Sequence, residues 1–267
     1  MRHEPGHDPR AADCDAIVLA AGLSSRMPGT KMLLTVGGRP LVRIAIDHAL
    51  TAVRRVILVV GHDSDAVAAA AVGEAGTRPA AARDGARFAG GPGPDRLVVV
   101  RNPHYRDGMF GSIQAGMRFV ASEWFFVVPG DMPGLEPRIY VRIAAEAPHV
   151  QDPPFTRDDG AEPPPRAIVP YYQGTRGHPV LVHRSLIPGL LAEPRDAGPM
   201  RDLLARSVVR RLNLDEPSIT VDLDTDEALR RYRAADGSRG DHNFGTSLRG
   251  LRRSLDPSYT GGQEEAT

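Results

Sequence analysis

The sequence predicts a three-layer α/β/α sandwich around a mainly parallel, Rossmann-like sheet. Short apolar runs rich in β-branched residues, at 16–21, 55–60, 97–100 and 124–128, alternate with segments whose apolar residues recur at helical spacing. That alternation is the signature of right-handed βαβ crossovers. The first run also breaks at Gly22 into a loop of small residues that carries Arg26 and Lys31. Ligand loops collect at the carboxyl ends of parallel strands, so the sheet and this loop belong to one arrangement.

A chain of 267 residues is long enough to bury a core without metals or disulfides. Lys plus Arg and Asp plus Glu are equal at 33 each, so no global field argues for nucleic acid or for a membrane surface. The expected partner is a small molecule. The lone cysteine, Cys14, cannot close an internal disulfide, and the N-terminus lacks the apolar core of a signal peptide. No apolar run approaches the roughly 18 residues of a membrane helix, and a cytoplasmic location is expected. Residues 1–12 read as a disordered leader, 13–234 as one domain with surface insertions at 73–95 and 149–166, and 235–267 as a disordered tail.

The opening strand ends in Gly22-Leu-Ser24-Ser25, residues small enough for backbone N–H groups to approach phosphate oxygens, while Arg26 and Lys31 add full charge. A polyphosphate ligand follows. Neither a Walker loop nor a G-x-G-x-x-G loop is present. Residues 41–53 have a broad apolar face and predict a helix, and the second strand ends at Gly61-His62, with Asp63 or Ser64 as cap of a helix over 66–72. After the third strand, Arg101 to Gly108 forms a loop ahead of a helix over 112–121, with Ser112 as an N-cap, a nucleotide contact or both. The fourth strand ends at Pro129-Gly130-Asp131-Met132-Pro133, which puts a carboxylate where a hard cation such as Mg²⁺ can be held. A helix over 137–147 follows. Residues 167–172 and 180–182 then form a hairpin, with helices at 185–191 and 199–207 and a short strand at 208–212 beyond it. Arg195 and Arg201 flank that region within reach of an anion. Asp224 and Glu227 have the spacing of a capping pair for a final helix over 227–233.

Leu19, Ala20, Ala21, Gly22, Ser24, Arg26, Met27 and Lys31 match a signature of the nucleotidyltransferases similar to molybdenum cofactor cytidylyltransferase, the MobA-like NTP transferases. The resemblance continues through Asn102, Pro103, Gly108, Met109, Ser112, Ala115 and Gly116, through Gly130-Asp131-Met132-Pro133, and through Gly177-His178-Pro179. It implies Mg²⁺ on Asp131, with Asp224 at the position of a second metal ligand. It implies nucleotide contacts from Leu19, Ala20, Ala21, Gly22, Ser24 and Ser112, and acceptor contacts from Gly177, His178 and Pro179, while Gly61 is a further nucleotide-contact candidate by its place at the carboxyl end of the second strand. His178 has two readings, a ligand to a pterin or phosphate and a brace of the hairpin. Departures from the pattern are Pro28 in place of glycine, and Asp226 and Ala228 in place of proline and aspartate.

The resemblance implies transfer of CMP from CTP to the phosphate of a molybdopterin-type cofactor, with Arg26 on the β- and γ-phosphates and Lys31 on the α-phosphate. A molybdenum hydroxylase is the implied acceptor protein for the product, and the 73–95 insertion is a candidate contact for it. A guanylyl- or sugar-phosphate nucleotidylyltransferase would use the same loop and Asp131. A nicotinamide oxidoreductase has only Asp63 and Asp65 as ribose ligands in its favour, and a non-catalytic binding protein would not need Arg26, Lys31 and Asp131 together.

Overall fold

Continuous apolar runs become strands buried on both faces, because a parallel strand covered by helices on either side has no solvent face. The computed structural model describes residues 9–22, 30–72, 86–91, 93–148 and 163–237. The chain enters through α1 (Pro9–Ala12) and β1 (Asp15–Ala20). The small hairpin β2 (Thr35–Val36) and β3 (Arg39–Pro40) leads to α2 (Leu41–Ala52), and β4 (Arg55–Val60) to α3 (Ser64–Val72). Then come β5 (Ala86–Gly91), β6 (Gly93–Arg101), α4 (Met109–Met117), β7 (Trp124–Pro129) and α5 (Pro137–Ala144), whose proline occupies a position at the helix start that needs no N–H donor. The remainder is β8 (Ala167–Tyr172), β9 (Thr175–Arg176), β10 (Val180–His183), α6 (Ile187–Ala192), α7 (Met200–Leu204), β11 (Val209–Asn213) and α8 (Asp226–Gly237).

The main sheet runs β11-β8-β10-β7-β1-β4-β6-β5. Its centre, β6-β4-β1-β7, is parallel and in step, so that Leu19 lies opposite both Val59 and Pro129. β10 enters antiparallel between β7 and β8, and β11 is parallel to β8. One sheet face, with Val18, Leu58, Phe126 and Val128, packs under α2, α3 and α5. The other, with Ile17, Val59, Phe125 and Val127, packs under α4, α6 and α7. This is the expected sandwich.

Several expectations change in detail. The segment read as a leader ends in α1, with Ala11 fully buried. The segment 73–95, read as an irregular insertion, supplies β5 and the start of β6; residues 73–85 and 92 lie outside the described residues. β5 pairs with β6 alone, and a terminal strand held by backbone hydrogen bonds needs no strict apolar alternation. The expected hairpin of 167–172 and 180–182 forms as antiparallel β8 and β10, but it lies within the main sheet, and β9 between them also pairs with β8. α8 extends to Gly237, into the expected tail. Residues 149–162, the greater part of the second insertion, and 238–267 lie outside the described residues. Among the described residues no helix is long and apolar enough to cross a membrane.

Candidate active site

Residues distant in sequence meet at the carboxyl edge of β1 and β7. Gly130 N–H donates to Leu19 O at 2.9 Å, and a Cβ at Gly130 would lie 2.7 Å from that same oxygen. Only glycine lets the chain leave β7 so close to β1, and this places Asp131 directly beyond the strand. On the other side Lys31–Leu33 forms one short 3₁₀ turn, with Met32 buried against Gly130. The Lys31 ammonium, almost fully buried, donates to Asp131 Oδ2 at 2.7 Å and to Asp224 Oδ1 at 2.5 Å. Asp224 reaches this point because Leu223 N–H donates to Asp131 O at 3.1 Å. Asp222 stands beside the group. Burial, with the charges of Asp224 and Asp131, pushes its carboxyl above the usual range, against the opposing pull of Lys31.

Asp224 was also expected to cap α8, and the structure corrects this. Thr225 Oγ1 accepts from Ala228 N at 3.1 Å, so the threonine is the cap and the Asp224 carboxylate is left for Lys31. Ser112 is corrected too. α4 starts three residues earlier, at Met109, so Ser112 lies inside the helix rather than at its cap, buried, with its Oγ accepting from Asn102 Nδ2 at 3.0 Å. Asn102 also accepts from His104 N at 3.0 Å, and it therefore fastens the loop after β6 to α4.

Ala20 and Ala21 are buried beneath the edge, Gly22 is exposed at it, and Ala21 O accepts from His62 N at 3.4 Å. Asp63, at φ 46°, accepts from Thr30 Oγ1 rather than serving the helix start alone, and thereby ties the residue before Lys31 to the β4 turn. His62 is a loop residue beside Tyr105, 3.5 Å from Asp63 Oδ2. Ser24, Arg26 and Pro28 lie outside the described residues. At Gly61 a Cβ would come within 2.5 Å of Tyr105 Cβ and 2.9 Å of Ala21 O. Gly61→Ala is therefore expected to displace the Tyr105 loop, at a cost of about 1–3 kcal/mol, and to weaken nucleotide binding with it. Thermal melts with and without nucleotide measure both effects.

A cavity of about 570 Å³ opens at the same edge on the α4 side, lined by Leu19, Phe110, Val127, Pro129, Arg176 and His178 among others. Gly177 and Pro179 are buried behind it. Gly177 N–H donates to Pro170 O, His178 N–H donates to Ile219 O, and a Cβ at Gly177 would lie 2.6 Å from Ile219 O. These two residues brace the loop, and the His178 side chain is the one that faces the cavity. Its Nδ1 is buried with no hydrogen-bond partner among the described residues.

Burial, reinforced by the Arg176 charge, holds His178 down at about 4, although Asp131 and the Val127 backbone oppose the shift. The ring is neutral throughout the physiological range. Unfolding releases it to the ordinary value of 6.5, so below that pH the unfolded chain binds the extra proton first and stability falls as pH drops towards 4. The penalty reaches on the order of 3 kcal/mol, at about 1.36 kcal/mol per pH unit. His178→Gln is expected to flatten this acid limb in melts between pH 4 and 7.5. Parallel curves for the two proteins would assign the limb to other groups.

Residues 16–213 match the model of the MobA-like NTP transferase domain, about three quarters of the chain. The chain belongs to that family. This transferase domain is 28% identical to the molybdenum cofactor cytidylyltransferase of Escherichia coli K12 over 211 residues, which are 79% of this chain and 91% of the relative. It shares the fold of Rv0371c from Mycobacterium tuberculosis H37Rv, with a TM-score of 0.60 at 23% identity over 83% of this chain and 98% of that one. The same mycobacterial protein has been solved in complex with manganese, with a TM-score of 0.54 at 23% identity over 82% and 96% of the two chains. A nucleotidyl transferase from Methanothermobacter superposes with a TM-score of 0.61 at 19% identity over 84% and 98%.

Proposed function

We propose that this transferase domain moves CMP from CTP to the phosphate of a molybdopterin-type acceptor and releases pyrophosphate. The observation that carries the reading is the convergence of Lys31, Asp131 and Asp224 beside a cavity faced by His178, in a chain related along most of its length to the E. coli enzyme. An acceptor phosphate oxygen attacks the α-phosphorus, the bond from that phosphorus to the bridging oxygen breaks, and pyrophosphate leaves with the electron pair. A phosphate is already a nucleophile, so alignment and charge neutralisation carry the step and no strong base is needed.

Asp131 and Asp224 direct oxygens at one ammonium from two sides, and that donor set fits a small, hard divalent cation. These two residues would hold Mg²⁺, which supplies charge neutralisation to the phosphates. The manganese complex of the mycobacterial protein supports a divalent site in this fold. Lys31 offers its ammonium to the α-phosphate, and Arg26 offers its guanidinium to the β- and γ-phosphates. Gly22 leaves the loop backbone open to the nucleotide, and a neutral His178 donates to or accepts from the acceptor without adding charge.

The test is calorimetric titration of the four nucleoside triphosphates with Mg²⁺, repeated on Asp131→Ala. Selective, Mg²⁺-dependent CTP binding that the variant loses supports the reading. Preference for GTP would replace it by guanylyl transfer, and no binding of any triphosphate would make the chain a non-catalytic member of its family.

A further inference from the structure

The cavity beside the acid pair is not uniform. Apolar residues such as Leu19, Phe110, Ile113 and Val127 line much of it, and its charged lining consists of Arg176, Arg195 and Arg201 with the carboxylates Asp107 and Asp196, which leaves an excess of positive charge. Arg176 comes from β9, while Arg195 and Arg201 come from the connection after α6 and from α7. Among the described residues the Arg176 and Arg195 guanidinium groups form no ion pair, whereas Arg201 has only its exposed neighbour Asp202 at 3.4 Å. Burial, together with the like charge of Arg201, lowers Arg176 from its ordinary range, although Tyr171 and Asp202 oppose this. Cations held near one another against an apolar wall gain from a shared anion.

The connection that carries Arg195 is fastened from inside. Gln114, buried in α4, donates through Nε2 to Leu190 O at 2.9 Å and to Glu193 O at 2.8 Å, two carbonyls at the carboxyl end of α6. The Arg195 stem lies over Gly111, where a Cβ would meet Arg195 Cβ at 3.4 Å. α4 thereby sets where Arg195 stands. Pro129 lines the cavity two residues before Asp131, so a molecule whose phosphate reaches Lys31 can extend into the cavity towards the arginines.

We propose that Arg176, Arg195 and Arg201 form a subsite for a second anionic group of the acceptor, distinct from the phosphate that receives the nucleotidyl group, and that Gln114 is its positioning residue. This rests on the transferase reading for the orientation of the ligand, and on the cavity alone for the anion. The acceptor class is then an apolar, flat-bodied molecule with a phosphate at one end and a separate negative group at the other.

Kinetics with a molybdopterin-type acceptor test the pairing. Arg195→Ala/Arg201→Ala is expected to raise the acceptor KM by about tenfold or more with the CTP dissociation constant within about twofold, and the double lysine variant is expected to recover part of the loss. Gln114→Leu is expected to raise the acceptor KM about fivefold, again without a change in CTP affinity. An unchanged acceptor KM in the double alanine variant would overturn the subsite while leaving the transferase reading intact. The independent arm uses inorganic phosphate on protein saturated with Mg²⁺ and CTP, or on the protein alone if CTP does not bind. It is followed through the arginine Nε–H resonances. Saturable shifts of Arg195 and Arg201 support the subsite even if the acceptor proves wrong, and unmoved resonances refute it.

Discussion

Asp131→Ala is expected to lower nucleotidyl transfer by about 10³-fold or more at saturating CTP, measured as pyrophosphate release. The backbone at this position is fixed independently of the side chain. Gly130 N–H donates to Leu19 O, and Asp131 O accepts from Leu223 N–H. Deleting the carboxylate therefore leaves the β7 edge and the approach of Asp224 in place, and a melt close to wild type is the control. What disappears is one carboxylate oxygen on the Lys31 ammonium and the charge expected to hold the cation. Asp131→Asn separates the two losses, because an amide keeps a hydrogen-bonding oxygen but not the negative charge. If charge is what matters, the asparagine variant is nearly as inactive as the alanine variant, and neither recovers at high Mg²⁺. Turnover within tenfold of wild type in both would remove Asp131 from the chemistry.

The strands that build this edge were legible because their environment leaves a local mark. β1, β4 and β7 are buried on both faces, and burial on both faces writes an unbroken apolar run. Neighbour relations leave no such mark. The hairpin of 167–172 and 180–182 predicts that β10 pairs antiparallel with β8, but nothing in it says that β10 also pairs antiparallel with β7. Helix starts were obscured by competing signals. Gly108 reads as the end of a loop, and at φ 116° it is also the residue from which α4 begins, one residue on. Asp224 and Glu227 fitted a capping pattern so well that Thr225, the actual cap, was passed over.

At the site, each candidate could be read from its loop, but not the contact among them. Lys31 stands 100 residues from Asp131 and 193 from Asp224 in sequence. Sequence reasoning missed the Asn102 link to Ser112, the tie between Thr30 and Asp63, the position of Asp222 beside the acid pair and the Gln114 clamp. Asn102 had a usable signal only for its bond from His104 N, since an asparagine in a loop often bonds backbone two residues on. The others are pairings across distant segments, which only the sheet order brings together.

Lys31→Ala is expected to lower turnover by about 10²- to 10³-fold while changing CTP affinity by less than about tenfold. The reason is where charge develops. On the proposed reading the ammonium meets the α-phosphate, whose negative charge is redistributed as the new bond forms, whereas most of the ground-state charge of CTP lies on the β- and γ-phosphates assigned to Arg26. The structure adds a second, opposite expectation. The Lys31 ammonium is shared by Asp131 and Asp224, so removing it takes one positive charge away from both carboxylates. That pair binds a divalent ion more tightly than before, and Mn²⁺ titrated into nucleotide-free protein is expected to show a lower dissociation constant in the variant than in wild type. Slower transfer together with tighter Mn²⁺ binding identifies one ammonium serving two anionic partners in turn. Loss of CTP affinity in proportion to turnover would reduce Lys31 to a ground-state phosphate ligand, and unchanged Mn²⁺ affinity would mean that its contact with the acid pair does not compete with the metal.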